Sequence, residues 1–378
     1  MTSTSQRTGS LLLLSASVGA GHIRAAEAIA ACARERYPGL SVTHLDCMQF
    51  VSPLFRKMYA DSYLDLVKRH PALWGYLYDT TDKKSRNNPV RKLRLDIQRL
   101  STIPLKKEIK KCCPDWIICT HFLPAELLDR EKRKNRLATP VSVVVTDYDV
   151  HWMWVQKHLD LFFVAHQEIA LRLAEREIPA ERIVSSGIPV CPAFGSSPDA
   201  KIARASLGLN PTQITLLLMA GGFGVGCIDQ TARMLLNLRD DIQLISVSGK
   251  NSALHKKTTD VARDYPGRMI PVGFTTSIEN FMAASDLVIT KPGGLTTAEC
   301  LAMGKPMIII NPIPGQEERN TDYLLENGAA LLAIDDVALK YKLNLLLSDA
   351  AMISRMQHNA RAIGKPHAGY DILSRVLT

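Results

Sequence analysis

The sequence predicts an α/β protein made of two Rossmann-like domains, their parallel sheets facing across a cleft. Three observations carry that expectation. Short apolar runs alternate with helix-length segments along nearly the whole chain. The alternation opens twice, near residues 11 and 213, with an apolar strand running into a glycine-rich turn. A Pro-, Gly- and Ser-rich stretch, "IPVCPAFGSSPDAK" from Ile188, separates the two series, and 378 residues exceed what one core of typical size holds. The expected organisation is an N-terminal domain over 1–195, a C-terminal domain over 196–360, and a final helix over 361–378 packing back on the first domain.

In order, "SLLLLSAS" is an apolar strand and "IRAAEAIAACARERY" a helix closed by Pro38-Gly39. "LSVTHLD" is a second strand ending at Asp46. An insertion follows at 47–114, aromatic early (Phe50, Phe55, Tyr59, Tyr63, Trp74, Tyr76, Tyr78) and basic late, with helical periodicity and no strand. "DWIICTH", "TPVSVVVTD", "LDLFFVAH" and "RIVSSGIPV" complete the first series; the first two end in polar residues, as parallel strands do at their carboxyl edge. Beyond the linker come "TQITLLLMAGGFGVG", "IQLISVSG", "RMIPVGF", "SDLVITKPG" and "KPMIIINP", with helices between them.

Composition narrows the classes. Apolar residues make up 46% of the chain and aromatics 6%, which suits a packed α/β protein and argues against disorder. The eight cysteines form no CxxC pair and no zinc spacing, so they are expected as buried small side chains in a reducing cytosol. The run at 10–14 is too short for a signal peptide, and no segment is long enough to span a membrane. The net charge of +9 is uneven: residues 1–195 carry +8 and 196–378 carry +1. Within 83–111 stand eleven basic residues and two acidic ones, so one half of the protein faces something anionic or is well solvated there. No nucleic-acid-binding motif accompanies the charge.

The first turn, Gly19-Ala20-Gly21-His22, partly matches a dinucleotide fingerprint, and Asp46 ends the next strand where a ribose contact would be. Arg24 stands where the third glycine should be, which disfavours NAD. The turn could serve geometry alone, or expose backbone N–H groups and set His22 at a cleft mouth for acid–base work near neutrality. The second turn, Gly221-Gly222-Phe223-Gly224-Val225-Gly226, would let amides approach a diphosphate. In "SDLVITKPGGLTTAECLAMGKPMIIINPIPGQEERNTDYLLENGAA", residues 285–330, one strand ends at Lys291-Pro292 and Gly293-Gly294 turn the chain. Thr296 or Thr297 is expected to cap a helix containing Glu299. A second strand ends at Asn311-Pro312, and Pro314-Gly315-Gln316-Glu317 follow as a polar loop, with Asn320 beyond it. Carboxylates and amides grouped there could hold ribose hydroxyls and a base, while a helix N-terminus takes phosphate.

At these residues the sequence resembles glycosyltransferase family 28 and, within it, the diacylglycerol glycosyltransferases, which include monogalactosyldiacylglycerol synthases and processive diacylglycerol glucosyltransferases. The resemblance rests on "SASVGAGHIRAAEAI", on "VVVTDYDVHWMWV" with "DLFFVAH" and "SSGIPV", and on the 285–330 block. It implies a GT-B fold, a UDP-sugar donor on the C-terminal domain, a diacylglycerol acceptor on the N-terminal domain, and inversion at the sugar. Carried over by position, Glu299 would contact the ribose. Lys291, Gly293, Gly294, Thr297, Gln316, Glu317 and Asn320 would line the donor site, with Gly221, Gly222, Phe223 and Gly224 near the diphosphate. His22 would be the base and Asp147 or His151 would orient it or hold the acceptor, with Gly19, Gly21, His121 and Trp154 on the same side. Phe223 replaces a glutamate of the plant-type galactosyl enzymes, which leaves glucose, galactose and glucuronic acid open as the sugar.

Helix N-termini and glycine-loop amides can stabilise a leaving diphosphate without a metal. Asp147 and Asp149 stand two apart, but in the acceptor half, so no metal is expected in the site and no cofactor beyond the donor. An enzyme using diacylglycerol works at a bilayer. Lys and Arg of 83–111 near anionic lipid would contribute about 1 kcal/mol each, and Trp74 and Tyr76 suit the interface. The expected location is cytoplasmic, peripheral on the inner face of the cell membrane. A UDP-sugar epimerase and a peptidoglycan-precursor N-acetylglucosaminyltransferase remain the alternatives within the same fold.

Overall fold

The structure is a computed structural model and describes residues 8–52, 56, 103–196, 198–221 and 227–378. Most of the 47–114 insertion, with Trp74 and Tyr76, and the turn residues Gly222, Phe223 and Gly224 lie outside the described residues. The chain divides into two compact units. Unit 1 comprises Met1–Pro192, Ile313–Gln316 and His367–Thr378; unit 2 comprises Ala193–Pro312 and Glu317–Pro366.

Unit 1 holds six parallel strands: β1 Gly9–Ser15, β2 Leu40–Asp46, β3 Trp116–Cys119, β4 Val141–Val144, β5 Leu161–Val164 and β6 Ile183–Ser185, in the order β2-β1-β3-β4-β5-β6. Leu13 sits opposite His44 on one side and Ile118 on the other. The helices are α1 Ala20–Arg36, α2 Ile103–Cys112, α3 Phe122–Arg133 and α4 Gln167–Glu175. Leu11 to Leu14 are all buried, which is why β1 is an unbroken apolar run rather than an alternating one. Each such side chain, fully buried, contributes about 1.5–3 kcal/mol. One face of the sheet packs Leu11, Leu13, Ile29 and Ile118 with Ile372, Leu373 and Val376 of the last helix, Ala368–Val376.

Unit 2 repeats the plan with β7 Ile214–Met219, β8 Ile242–Val247, β9 Met269–Val272, β10 Leu287–Thr290, β11 Met307–Ile310 and β12 Ala330–Ala333, ordered β12-β11-β10-β7-β8-β9. Its helices are α5 Ala200–Ser206, α6 Ile228–Leu238, α7 Ser252–Arg263, α8 Ile278–Ala284, α9 Gly294–Ala302, α10 Gln316–Glu326, α11 Asp336–Ser348 and α12 Ala350–Ile363. Gln316, the first residue of α10, groups with unit 1. Residues 361–378 are therefore not one helix. α12 ends at Ile363, and α13, Ala368–Val376, lies against α1, where Gly369 comes so close to Cys32 that an added Cβ would stand 2.6 Å from its sulfur.

The strand orders fix where a ligand can sit. In unit 1 the chain steps from β1 to β2 on one side and then to β3 on the other side of β1. In unit 2 it winds β7-β8-β9 one way and resumes at β10 on the other side of β7. Loops leaving two such neighbours diverge to opposite faces and open a crevice at the carboxyl edge. The pairs β1/β3 and β7/β10 are those switch points.

The expectation of uniformly buried cysteines is corrected. All eight are free thiols and Cys32, Cys47, Cys119 and Cys300 are buried, but Cys113 and Cys227 are exposed.

Candidate functional site

The β1/β3 switch point of unit 1 is ringed by polar residues. Gly19 caps α1 with φ 146° and ψ 148°, a backbone that side chains disfavour, and the helix starts at Ala20. Gly21 and His22 thus lie in the first turn of α1 rather than in the loop before it. His22 is half-buried, and its Nδ1 stands 2.9 Å from the Thr120 carbonyl and 3.0 Å from Thr146 Oγ1. Thr120 in turn donates its hydroxyl to the His22 carbonyl at 2.7 Å. A carbonyl only accepts, so Nδ1 carries the proton and Nε2 holds the lone pair. Among the described residues Nε2 has no hydrogen-bond partner.

His121 follows β3, is 2% exposed, and accepts the Leu123 N–H on Nδ1 as the N-cap of α3. Its ring meets that of His22 edge-on at 4.5 Å between centroids. Trp154 closes the group, 6.2 Å from His22 and 6.4 Å from His121. His151 accepts the Met153 N–H at 3.2 Å and caps the short 3-10 turn Trp152–Trp154. Asp147, two residues past Val145 beyond β4, is buried and accepts from the Gln316 amide at 2.8 Å. Asp46 is no ribose ligand in this arrangement: its Oδ1 accepts from Ser17 N and Met48 N, both at 3.0 Å, and ties two loops together.

Burial lowers the His22 pKa to about 4, opposed by the Thr120 carbonyl. Burial also drives His121 well below its ordinary value, and the neighbouring His22 adds to the effect. Both rings are neutral near pH 7. The unfolded chain takes up these protons below about pH 6.5, so unit 1 loses stability as pH falls from there toward 4. The urea midpoint of unfolding is expected to drop between pH 7 and pH 5, and to drop less in His121→Asn, which retains a capping oxygen. An equal drop in both proteins would contradict this cause.

In unit 2 the strands β7 and β10 deliver Gly221 and Lys291 to the second switch point, and Gly293 caps α9 without any side-chain cap. The expected cap by Thr296 or Thr297 is corrected: both lie inside α9, whose N-terminal N–H groups stay open to a ligand. Gly294 is the first helical residue. Thr297 is fully buried, and its Oγ1 has no hydrogen-bond partner. An uncapped helix N-terminus beside a buried orphan hydroxyl is a site built for an anionic oxygen.

Glu299 lies further along α9, 4% exposed. The expected polar loop at 314–317 is also corrected, because Gln316 and Glu317 open α10. A Cβ on Gly293 would lie 3.8 Å from Glu317 Oε1, so that carboxylate faces the turn. Asn320 donates its amide to the Pro292 carbonyl at 2.9 Å and pins the Lys291–Gly294 turn to α10. Gln316 stands apart from these donor-side residues through its bond to Asp147.

The structure adds residues that the sequence did not single out. Thr120 and Thr146 fix the His22 tautomer; the repeated polar pair after an apolar strand, "CTH" and "VTD", is the signal that marks them. Phe274 follows β9 and is 60% exposed, with Lys250 Nζ 5.2 Å from its ring centroid. A bare aromatic face at the carboxyl edge of a nucleotide-type sheet suits base stacking. Among the described residues no three His, Cys, Asp or Glu side chains group as metal ligands.

Comparison with known proteins agrees with this layout. Residues 22–190 match the monogalactosyldiacylglycerol (MGDG) synthase family, and residues 226–376 match the glycosyltransferase family 28 C-terminal domain. A processive diacylglycerol beta-glucosyltransferase of Bacillus licheniformis is 28% identical over 370 residues, which span 97% of this chain and 94% of that protein. A protein of the same name from Bacillus cereus is 30% identical over 274 residues, 72% of this chain and 70% of its own. Among solved structures, Acinetobacter baumannii MurG aligns with a TM-score of 0.64 at 15% identity, over 98% of this chain and 99% of that one. S. aureus MnaA with UDP aligns with the same TM-score at 14% identity, over 98% and 96%. The two six-stranded parallel sheets and these neighbours establish the GT-B fold.

Proposed function

Because this chain belongs to the diacylglycerol glycosyltransferases, the family of monogalactosyldiacylglycerol synthases and processive diacylglycerol glucosyltransferases, we propose that it moves a hexose from a UDP-sugar to the free hydroxyl of diacylglycerol, with inversion. The observation that carries the reading is His22: a neutral imidazole at the β1/β3 crevice, with Nδ1–H committed to Thr120 and Nε2 left basic. The acceptor oxygen attacks the anomeric carbon while its proton passes to Nε2. The bond from that carbon to the diphosphate oxygen breaks, and UDP leaves with the electron pair. A pKa of about 4 keeps Nε2 unprotonated throughout the physiological range.

Unit 2 supplies the donor side. The open N–H groups of α9, Thr297 Oγ1 and the turn at Gly221 meet the diphosphate, where negative charge grows as the bond breaks. Glu299 and Glu317 are the carboxylates assigned to the ribose side, and Phe274 stacks on the base. Phe274→Ala is expected to raise the donor KM about tenfold, in keeping with a stacking contribution of roughly 1–3 kcal/mol, and to leave kcat within about twofold. An unchanged KM would remove Phe274 from the site.

Glucose is the proposed sugar, since the Bacillus relatives are named for it. Action at an anionic membrane surface, on its inner face, is supported by the basic 83–111 segment, where Lys107, Lys110 and Lys111 of α2 are exposed. No helix among the described residues is long and apolar enough to cross a membrane. The reading is tested with diacylglycerol in anionic vesicles and labelled UDP-glucose, UDP-galactose, UDP-glucuronate and UDP-N-acetylglucosamine. A labelled glycolipid from UDP-glucose is expected. Label that never enters lipid contradicts the assignment, and UDP-sugar turnover without lipid would point to an epimerase.

A further inference from the structure

On the amino side of the unit 2 sheet, away from the β7/β10 switch point, lies a cavity of about 340 Å³. It is walled by Phe194, Gly195 and Pro198 at the start of the unit, by Ala302 at the end of α9, and by two cations, Lys305 and Arg361. Arg361, on α12, lies across Gly304. Gly304 has φ 63°, and a Cβ there would stand 2.3 Å from Arg361 Cγ and 2.5 Å from Nε, so this backbone is shaped to let the guanidinium chain cross. Among the described residues Arg361 makes no hydrogen bond or ion pair. Lys305 donates to the carbonyls of Ser285 at 2.7 Å and Ala283 at 3.2 Å, closing the end of α8 and leaving the third ammonium hydrogen uncommitted.

Neither neighbouring carboxylate is spare. Asp286 accepts from Arg204 at 2.6 Å and from Thr215 N at 2.8 Å. Asp199 is spent on the Lys201 and Ile202 N–H groups as the cap of α5. No acidic side chain lines the cavity. Burial pushes Lys305 down to about 8, Asp286 opposes the shift, and Arg204 and Arg361 add to it.

We infer that this cavity is a second anion site, in which a phosphate-type oxyanion binds between Arg361 and Lys305. Guanidinium presents two parallel N–H donors to such an oxyanion, and the ammonium adds a third. The ligand class is a phosphomonoester or phosphodiester, either free or on a lipid headgroup. The site is independent of the sugar-nucleotide site, since none of its lining residues belongs to that one.

The test is calorimetric titration with inorganic phosphate and glycerol 3-phosphate at constant ionic strength, with UDP saturating so that the donor site is filled. Co-sedimentation with phosphatidylglycerol vesicles runs alongside. Wild type is compared with Arg361→Ala, whose side chain is exposed and whose fold is checked by undiminished UDP binding. Saturable phosphate binding that weakens about tenfold or more in the variant is the expected result. Vesicle binding lost in the variant, with free phosphate ignored by both proteins, would equally support the site and assign the anion to lipid. Titrants and vesicles that bind neither protein, or both proteins alike, overturn it.

Discussion

His22→Ala is expected to lower kcat by roughly two to four orders of magnitude, the range a positioned general base supplies, while UDP affinity stays within about twofold. The loss falls on the chemical step because the imidazole contacts only groups of unit 1: the Thr120 carbonyl, the Thr146 hydroxyl and the rings of His121 and Trp154. None of them belongs to the donor-binding unit. Glycosylation of diacylglycerol and UDP affinity, measured on the same preparation, check this. A variant that loses both together would mean that the site had collapsed, and one that loses neither would remove His22 from catalysis.

Thr297→Val is expected to act with opposite signs on stability and on binding. Oγ1 is fully buried without a partner, and an orphaned polar group costs about 1–3 kcal/mol. Valine fills the same space without that cost, so the empty protein should be as stable as wild type, or more stable by about 1 kcal/mol. The donor phosphate is what the hydroxyl is kept for, so UDP binding should weaken about tenfold or more. Urea unfolding and UDP titration check both halves. A variant that is destabilised yet binds UDP normally would show that Thr297 is a packing residue.

Much of the fold was legible because buried parallel strands are unbroken apolar runs, as in "LLLL" of β1 and "MIII" of β11. β12, Ala330–Ala333, was not legible: its "ALLA" is made of strong helix formers, and only pairing with β11 makes it a strand. The start of α1 was misplaced for a related reason. Glycines at 19 and 21 suggest a turn, yet only Gly19 needs a glycine backbone, and Gly21 is carried along in the helix.

In the site, glycines, histidines and carboxylates were visible as residue types after strands. Their partners were not visible, because Thr120 and Thr146 reach His22 from 98 and 124 residues away, and only the β1-β3-β4 order brings those strand ends together. Thr297 illustrates the converse. Its position near a glycine turn suggested a cap, whereas the structure shows an uncapped helix with the hydroxyl held in reserve.

The central claim is that a neutral His22 takes the acceptor proton. Its most direct test is the single-turnover rate of lipid glycosylation against pH at saturating donor, for wild type and His22→Gln. The wild-type rate is expected to hold from pH 8 to about 5 and to fall through an acid limb near 4. The variant should be slower throughout and lack that limb. A wild-type limb centred near 6.5, or a variant that matches the wild-type rate, would contradict the account.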